Sequence, residues 1–319
     1  IGAAGNRELR FARAQQEGAL YRRVRQITDQ LVHCLGDLAA WADYPEDEIP
    51  AVTPEGLQQS LTAILQPLEQ TLATYDYGRI LRAGVSAVIV GKPNVGKSTL
   101  FNLLSGSQRS IVTEIAGTTR DVVEEQIRLG DVTLRLSDTA GLRETEDIIE
   151  QIGVRRAGER LRDADLILAV FDATRPLDDD DRRMLEQLPE KPVIAILNKS
   201  DQPALLEPAA LQAQFSRVIS MAAKDGNGLE ELRQAVEELF YREQVTPEMG
   251  VVSNERQKQC LEHARAQILQ AQEALEAGEM LDAVTVLLEE AADALLTLTG
   301  ERVSEAVVND VFARFCVGK

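Results

Sequence analysis

A stretch of eight residues, Gly91 to Ser98, has the spacing of a phosphate-binding loop. It reads GKPNVGKS, follows an apolar run at 85–90 and precedes a helical pattern of leucines. Between a strand and a helix, such a loop turns its backbone N–H groups toward an anion, and the helix N-terminus adds partial positive charge. We expect Lys97 to reach the β- and γ-phosphates and Ser98 to hold Mg²⁺. The loop residues predicted to contact the nucleotide are Asn94, Val95, Gly96, Lys97, Ser98 and Thr99.

Two later segments are placed to respond to the γ-phosphate. The sequence DTAG at 138–141 ends a predicted strand, so that Asp138 can reach Mg²⁺ through water and the Gly141 N–H can meet the γ-phosphate. The sequence GTTRD begins at Gly117, and a threonine hydroxyl there can complete the Mg²⁺ shell when the γ-phosphate is present. We favour Thr119 over Thr118. The residues predicted at the nucleotide from these segments are Thr118, Thr119, Asp138, Thr139, Ala140 and Gly141.

Two motifs identify the base. The sequence NKSD at 198–201 ends a predicted strand, and the Asp201 carboxylate matches the donors at N1 and N2 of guanine, whereas it is mismatched to adenine. The nucleotide is therefore expected to be GTP. Asn198 would support N7, and the stem of Lys199 would lie along the base. The sequence Ala222, Ala223, Lys224 occupies the place where GTPases usually carry Ser-Ala-Lys, without the leading serine.

The residue after DTAG indicates that another group must orient the water that attacks the γ-phosphate. Ras-like proteins orient the attacking water with a glutamine there, but this chain has Leu142, which has no polar group. Phosphoryl transfer requires an oriented water and positive charge on the phosphate oxygens. For the positive charge, Arg120 and Arg143 remain open. For the water, the acidic residues available in the following loop are Glu144, Glu146, Asp147 and Glu150.

Segments of two periodicities alternate between Gly84 and about Tyr241. Strand-like runs are separated by helical ones, which predicts an α/β domain around a largely parallel sheet with ligands at the carboxyl ends of the strands. The pair joined by Gly130 and Asp131 is expected to be an antiparallel hairpin. The predicted strands are 85–90, 126–129, 132–137, 166–171, 193–197 and 217–220.

Both flanks of this domain have helical periodicity. One long helix is predicted from about Glu8 to Trp41, and a second begins at Thr53 and Pro54, an N-cap and a first-turn proline. Further helices are predicted at 253–277, ending before Gly278, at 281–300, and at 303–315. The fold prediction is an α/β P-loop GTPase domain of the Ras-like type, at 84–244, inserted into an all-α helical bundle domain made of 1–83 and 245–319.

Composition limits the partners and the compartment. The formal charge is 34 − 52 = −18 over 319 residues, so the body of the protein repels nucleic acid. Three distant cysteines and two histidines offer no zinc spacing, and cysteines so far apart make a disulfide framework unlikely. We therefore expect a reducing, cytoplasmic environment. Neither a signal peptide nor an apolar run of about 18 residues is present. Because the chain begins at Ile1, we expect it to be a fragment.

These motifs resemble those of the MnmE (TrmE) tRNA modification GTPase family. The resemblance rests on GKPNVGKS, GTTRD, DTAGLRE, the helical flanks and the C-terminal FCVGK, and extends from about Leu9 to Lys319. It implies modification of C5 of the tRNA wobble uridine with an aminomethyl or carboxymethylaminomethyl group. It also implies the FAD-dependent partner MnmG (GidA), self-association through G domains, a constitutive homodimer, and a folate such as 5-formyl-tetrahydrofolate bound by an N-terminal domain absent from this sequence.

The resemblance also assigns roles to residues. It implies a K⁺ ion in the place of an arginine finger, held by Asn94, Thr113, Ile115 and Thr118. It extends the predicted GTP contacts to Thr113, Glu114, Ile115, Ala116 and Gly117. Glu150 becomes the acid that orients the water. In the C-terminal tail, Cys316 is implicated in the modification chemistry and Lys319 in folate contact.

A second hypothesis fits the nucleotide motifs alone. Ribosome-assembly GTPases of the Era and EngA type carry the same set and use their other domains to bind rRNA or ribosomal proteins. The inserted position of the GTPase segment and the Cys-x-Gly-Lys end favour the MnmE resemblance. Co-purification with an FAD protein and tRNA, or with ribosomal subunits, discriminates the two.

Overall fold

The structure of this chain is a computed structural model that describes residues 6–43, 52–107, 125–136, 161–240 and 245–299. The chain divides into two compact units. One unit comprises Ala83–Arg242 together with Ile1–Glu8, and the other comprises Leu9–Arg82 and Glu243–Lys319.

Helices lie at both ends of the chain and alternate with strands between them. The helices are α1 (Asn6–Gln16), α2 (Ala19–Asp43), α3 (Pro54–Leu72), α4 (Tyr75–Ala83), α5 (Lys97–Ser107), α6 (Asp179–Glu186), α7 (Pro208–Gln212), α8 (Leu229–Phe240), α9 (Glu255–Glu276) and α10 (Leu281–Thr299), with a 3₁₀ turn at Pro247–Met249. The strands are β1 (Val85–Val90), β2 (Glu125–Leu129), β3 (Val132–Leu136), β4 (Leu166–Asp172), β5 (Val193–Asn198) and β6 (Val218–Met221). Within the described ranges, no helix combines the length and apolarity that spanning a bilayer requires.

The prediction of one continuous helix at the start of the chain is wrong. Instead of one helix from Glu8 to Trp41, α1 ends at Gln16 and α2 begins at Ala19. Gly18 has φ +80, and its N–H donates to the carbonyl of Gln15. A left-handed glycine ends a helix because it satisfies a terminal carbonyl that the helix leaves unpaired. The apolar periodicity continues through this point, so periodicity alone did not reveal the break.

Other helix boundaries are confirmed. The Thr53 hydroxyl accepts the Gly56 N–H at 3.1 Å and caps α3, which starts at Pro54. Such a cap pairs an N–H that the first turn leaves without a partner. Gly278, with φ +73, lies between α9 and α10, where the sequence predicted a break. The last predicted helix, 303–315, lies outside the described residues.

Helices from both ends of the chain share one apolar core in the helical unit. The buried side chains recur every three or four residues along α2, α3, α9 and α10, so each of these helices contributes one face. The fully buried members of this core include Leu31, Leu61, Leu68, Leu261, Ile268, Val284, Leu288 and Leu295. This is the predicted bundle formed from the two flanks.

The other unit is built on a six-stranded sheet in the order β2-β3-β1-β4-β5-β6. Strand β2 runs antiparallel to β3, and the remaining neighbours are parallel. The predicted largely parallel sheet with one hairpin is confirmed. All seven residues of β4 are buried, as expected of a strand covered on both faces. The loops that follow β1, β4, β5 and β6 therefore meet at one edge of the sheet, where ligands bind in such folds.

Candidate nucleotide-binding site

Close backbone approach explains the glycines of the loop between β1 and α5. A Cβ at Gly91 would lie 2.5 Å from the Val170 carbonyl oxygen, and a Cβ at Gly96 would lie 2.1 Å from Asn198 Nδ2. Gly91 and Gly96 have φ +150 and +102, and Asn94 has φ 64. These left-handed conformations suit glycine and, among larger residues, asparagine. The loop thus packs closely against Val170 of β4 and against Asn198, and a side chain at either glycine would displace it from this position.

Lys97, the first residue of α5, extends back across this loop. Its Nζ donates to the carbonyl oxygens of Gly91 at 2.8 Å and Lys92 at 2.6 Å. Burial lowers the pKa of the Lys97 ammonium below its usual value. A partly desolvated cation held only by neutral carbonyls gains strongly from an anionic partner. The ammonium is therefore suited to bind a phosphate chain, and Ser98 and Thr99 are exposed beside it.

The described part of this site has groups suited to bind the phosphates of a nucleotide and its Mg²⁺. The loop closed by two glycines, the half-buried ammonium and the start of α5 supply what phosphates require. Of the residues predicted to bind Mg²⁺, Ser98 is the one that lies within the described ranges. The other residues predicted for the phosphates and ions, Thr113–Thr119, Asp138–Gly141 and Glu150, lie outside the described residues, as do Cys316 and Lys319. Among the described side chains, no group of three or more His, Cys, Asp or Glu could hold a metal ion.

The buried amide of Asn198 connects two loops of the site. Asn198 is the last residue of β5 and is only 3% exposed. Its Nδ2 donates to the Val95 carbonyl at 2.8 Å, and its Oδ1 accepts the Ala223 N–H at 3.0 Å. The amide thus joins the phosphate loop to the loop after β6. The contact of Asn198 with guanine N7 stays a prediction, and Nδ2 has a second hydrogen available for it.

The two predicted base-recognition motifs lie next to each other. The N–H of Ser200 donates to the Met221 carbonyl at 3.1 Å, so the turn after β5 is joined to the end of β6. Asp201 is exposed in that turn, as a carboxylate that reads a base must be before the base arrives. In the loop after β6, Ala222 and Ala223 are buried and Lys224 is exposed.

The turn after β5 and the loop after β6 form a rim. An ion pair made by Lys199 of this rim was not foreseen from the sequence. The Lys199 Nζ donates to Asp172 Oδ2 at 2.6 Å, and Lys199 has a left-handed backbone, with φ 66. Asp172 is the last residue of β4, directly opposite Asn198 in the parallel ladder. The available signal was an acidic residue at the end of an otherwise apolar strand. The predicted strand 166–171 ended one residue before Asp172.

A second unforeseen set of ion pairs holds the loop between β4 and α6. Arg175 binds the buried Asp181 with two hydrogen bonds, at 2.6 and 3.0 Å. Asp178 caps α6 and also accepts from Lys92 of the phosphate loop. The Lys92 ammonium, helped by the α6 N–H groups, keeps the pKa of Asp178 well below its usual range. This loop therefore has charged contacts with the Lys199 turn at one end and the phosphate loop at the other.

Comparison with known proteins identifies relatives over the full chain. The family model described as the MnmE helical domain matches residues 1–316. The tRNA modification GTPase MnmE of Acetivibrio thermocellus is 38% identical over 322 residues, covering 100% of this chain and 70% of the relative. The MnmE of Geobacter metallireducens is 41% identical over 314 residues, covering 98% and 68%. Among solved structures, an Era variant of Aquifex aeolicus bound to GDP and AlF₄⁻ is 28% identical with a TM-score of 0.40, covering 58% of this chain and 67% of that chain.

The geometry of the phosphate loop gives opposite expectations for its two lysines. Lys97→Met should weaken GTP binding about 100-fold or more, because a charge-assisted contact to phosphate is lost. Its thermal unfolding midpoint should change little, because a desolvated ammonium is removed together with its two carbonyl contacts. Calorimetric titration with GTP and a thermal melt of the nucleotide-free protein measure the two effects.

Lys92→Met is the matched control for the Lys97 substitution. The Lys92 ammonium is already neutralised by Asp178 and Asp180, so its removal should change GTP affinity by less than about fivefold. Wild-type GTP affinity in Lys97→Met, or equal losses in the two variants, would contradict the assignment of Lys97 to the phosphates.

Proposed function

Since this chain belongs to the MnmE family, we propose that it is a K⁺-dependent GTPase whose nucleotide cycle serves modification of the tRNA wobble uridine. The chain is a P-loop GTPase. The observation that carries the proposal is the phosphate loop closed by Gly91 and Gly96 and joined through Asn198 to the base-recognition turns. Family membership favours tRNA modification over the ribosome-assembly function that the nucleotide motifs alone would also allow.

The described residues bind the triphosphate by exchanging partners. The Lys97 ammonium leaves the carbonyls of Gly91 and Lys92 for the β- and γ-phosphate oxygens, which are stronger acceptors because they are charged. The first N–H groups of α5 and of the phosphate loop donate to the phosphates from fixed positions, so little reorganisation is needed. Mg²⁺ held by Ser98, and on our proposal by Thr119, would neutralise charge on the β- and γ-oxygens.

Asp201 selects guanine. Its carboxylate, when ionised, only accepts hydrogen bonds, and guanine offers donors at N1 and N2. Adenine offers no donor at N1, so one carboxylate oxygen would lose its water without gaining a partner. The backbone at Ala222, Ala223 and Lys224 borders the same rim, and we propose that it closes the base pocket.

Hydrolysis requires groups beyond the phosphate loop. Glu150 is proposed to orient the attacking water in place of the glutamine that Leu142 replaces. K⁺ held by Asn94, Thr113, Ile115 and Thr118 would supply positive charge where other GTPases use an arginine. Asn94 supports this proposal because it lies in the phosphate loop, in a left-handed conformation, and its exposed side chain is available to bind an ion. Association of two G domains is proposed to complete the ion site.

The choice of salt tests the ion. Turnover of GTP should fall about 10-fold or more when K⁺ is replaced by Na⁺ at equal ionic strength, because a smaller ion does not span the same ligands. Turnover per protein should also rise with protein concentration in K⁺, as G domains associate. Binding of GTP in the two salts is the control and should be similar. Equal turnover in both salts would remove K⁺ from the mechanism.

Substitution of the acids in the loop 143–150 tests the water. Glu150→Ala should slow hydrolysis about 100-fold or more and leave GTP affinity nearly unchanged, because the residue acts only in the transition state. Single-turnover hydrolysis and GTP titration separate the two effects. The matched controls are Glu144→Ala, Glu146→Ala and Asp147→Ala, each expected to retain most activity. Normal turnover in Glu150→Ala with loss in one of these controls would assign the role to that acid.

The remaining parts of the proposal concern partners. We propose that tRNA and an FAD-dependent protein of the MnmG (GidA) type act with this chain in the cytoplasm. With a formal charge of −18, the chain is expected to leave most of the tRNA contact to that partner. We also propose that a folate and a constitutive homodimer take part, with Cys316 and Lys319 reaching the folate. The GTPase cycle would control conformational change and not carry out the carbon chemistry.

A further inference from the structure

Asp172 is a buried carboxylate near the site. Among the groups assigned to the nucleotide, it binds Lys199. Asp172 is 8% exposed at the end of β4. Its Oδ2 accepts the Lys199 ammonium at 2.6 Å. Its Oδ1 accepts both the N–H and the hydroxyl of Thr174, at 2.9 and 2.6 Å. Both carboxylate oxygens are therefore engaged within the protein.

Asp172 is held as an anion in this position. Burial raises the pKa of its carboxyl, but hydrogen bonds from Lys199 and Thr174 outweigh this, and its pKa lies below the usual value. The turn formed with Thr174 also fixes the direction of the carboxylate, because side chain and backbone close a short ring. A fixed charge facing a flexible side chain determines where the tip of that side chain lies.

Lys199 is the side chain that needs such a restraint. It is two residues before Asp201, and its backbone is in the left-handed region, with φ 66. A lysine has four rotatable carbon–carbon bonds, so an untethered stem would lose conformational entropy when a base packed against it. The ammonium anchored on Asp172 holds the stem in one place before any nucleotide arrives.

We propose that Asp172 is a positioning residue for guanine nucleotides, which holds the Lys199 stem in place beside Asp201 without itself touching the nucleotide. The inference rests on the proposed function, because it assumes that the base packs against Lys199. It differs from a purely structural ion pair in one respect: removal of Asp172 should affect nucleotide affinity only while Lys199 is present.

A double-mutant cycle measures this dependence. The primary variant is Asp172→Ser, whose shorter side chain no longer reaches Lys199 but retains an oxygen acceptor for Thr174. Asp172→Ala is the second variant. Each is combined with Lys199→Ala, and the affinity and dissociation rate of a fluorescent GDP are measured on the full chain.

The expected results separate positioning from stability. Asp172→Ser should weaken GDP binding about 10-fold, mainly through faster dissociation, because the unanchored Lys199 stem must lose conformational entropy when the base packs against it. In the Lys199→Ala background the same change should alter affinity by less than about twofold. The value of kcat at saturating GTP should change by less than about twofold, because the phosphates and the water are untouched. Asp172→Asn, which keeps an acceptor for the ammonium, should restore affinity to within about threefold of wild type.

Asp181→Asn is the matched control. Asp181 is a carboxylate in the first turn of α6, 1% exposed, and its hydrogen bonds are with Arg175 and the Asp178 N–H. Its substitution should lower the unfolding temperature and leave GDP affinity within about twofold of wild type. Equal losses of affinity from Asp172→Ser in both backgrounds, or an equal loss in Asp181→Asn, would overturn the inference and leave the proposed function intact. A wild-type chain that binds no guanine nucleotide would overturn both.

Discussion

The buried amide of Asn198 is the constraint on which the rest of the nucleotide site depends. It hydrogen-bonds the Val95 carbonyl and the Ala223 N–H, so it fixes the distance between the phosphate loop and the loop after β6. A buried amide that lost either partner would be left unsatisfied in a dry environment, which makes the connection hard to break. It also explains Gly96, since any larger residue there would displace this amide. The loops that we propose bind the phosphates and the base are thus joined in one hydrogen-bonded structure.

The sheet brings these loops together without dedicated contacts of its own. Parallel strands β1, β4, β5 and β6 all end at the same edge, and complete burial of β4 leaves that edge little freedom. Polar residues at the strand ends then form the site: Asp172 ends β4 and Asn198 ends β5, opposite each other in the ladder. Asp172 neutralises Lys199, so the fold itself orders the lysine that we propose packs against the base. Lys97, which we propose binds the phosphates, donates to two neutral carbonyls and remains available for an anion.

The sequence was sufficient for most features that depend on neighbours in the chain. The strands of the sheet, the cap of α3 by Thr53 and the break at Gly278 follow from local periodicity and local hydrogen bonds, and all were predicted to within a residue or two. The break at Gly18 was missed because apolar periodicity continues through a single left-handed glycine. Asp172 and Lys199, like Lys92 and Asp178, are distant in sequence. Their pairing depends on which strands are adjacent, and periodicity does not carry that information.

Selection of guanine over adenine requires Asp201, Lys199 and the Asn198 connection to act together. The measurement is competition of unlabelled GDP and ADP for a fluorescent GDP bound to the wild-type chain. GDP should compete about 1,000-fold or more better than ADP, since adenine leaves the carboxylate of Asp201 without its donors. Comparable competition by the two nucleotides would contradict the assignment of this rim as a guanine site.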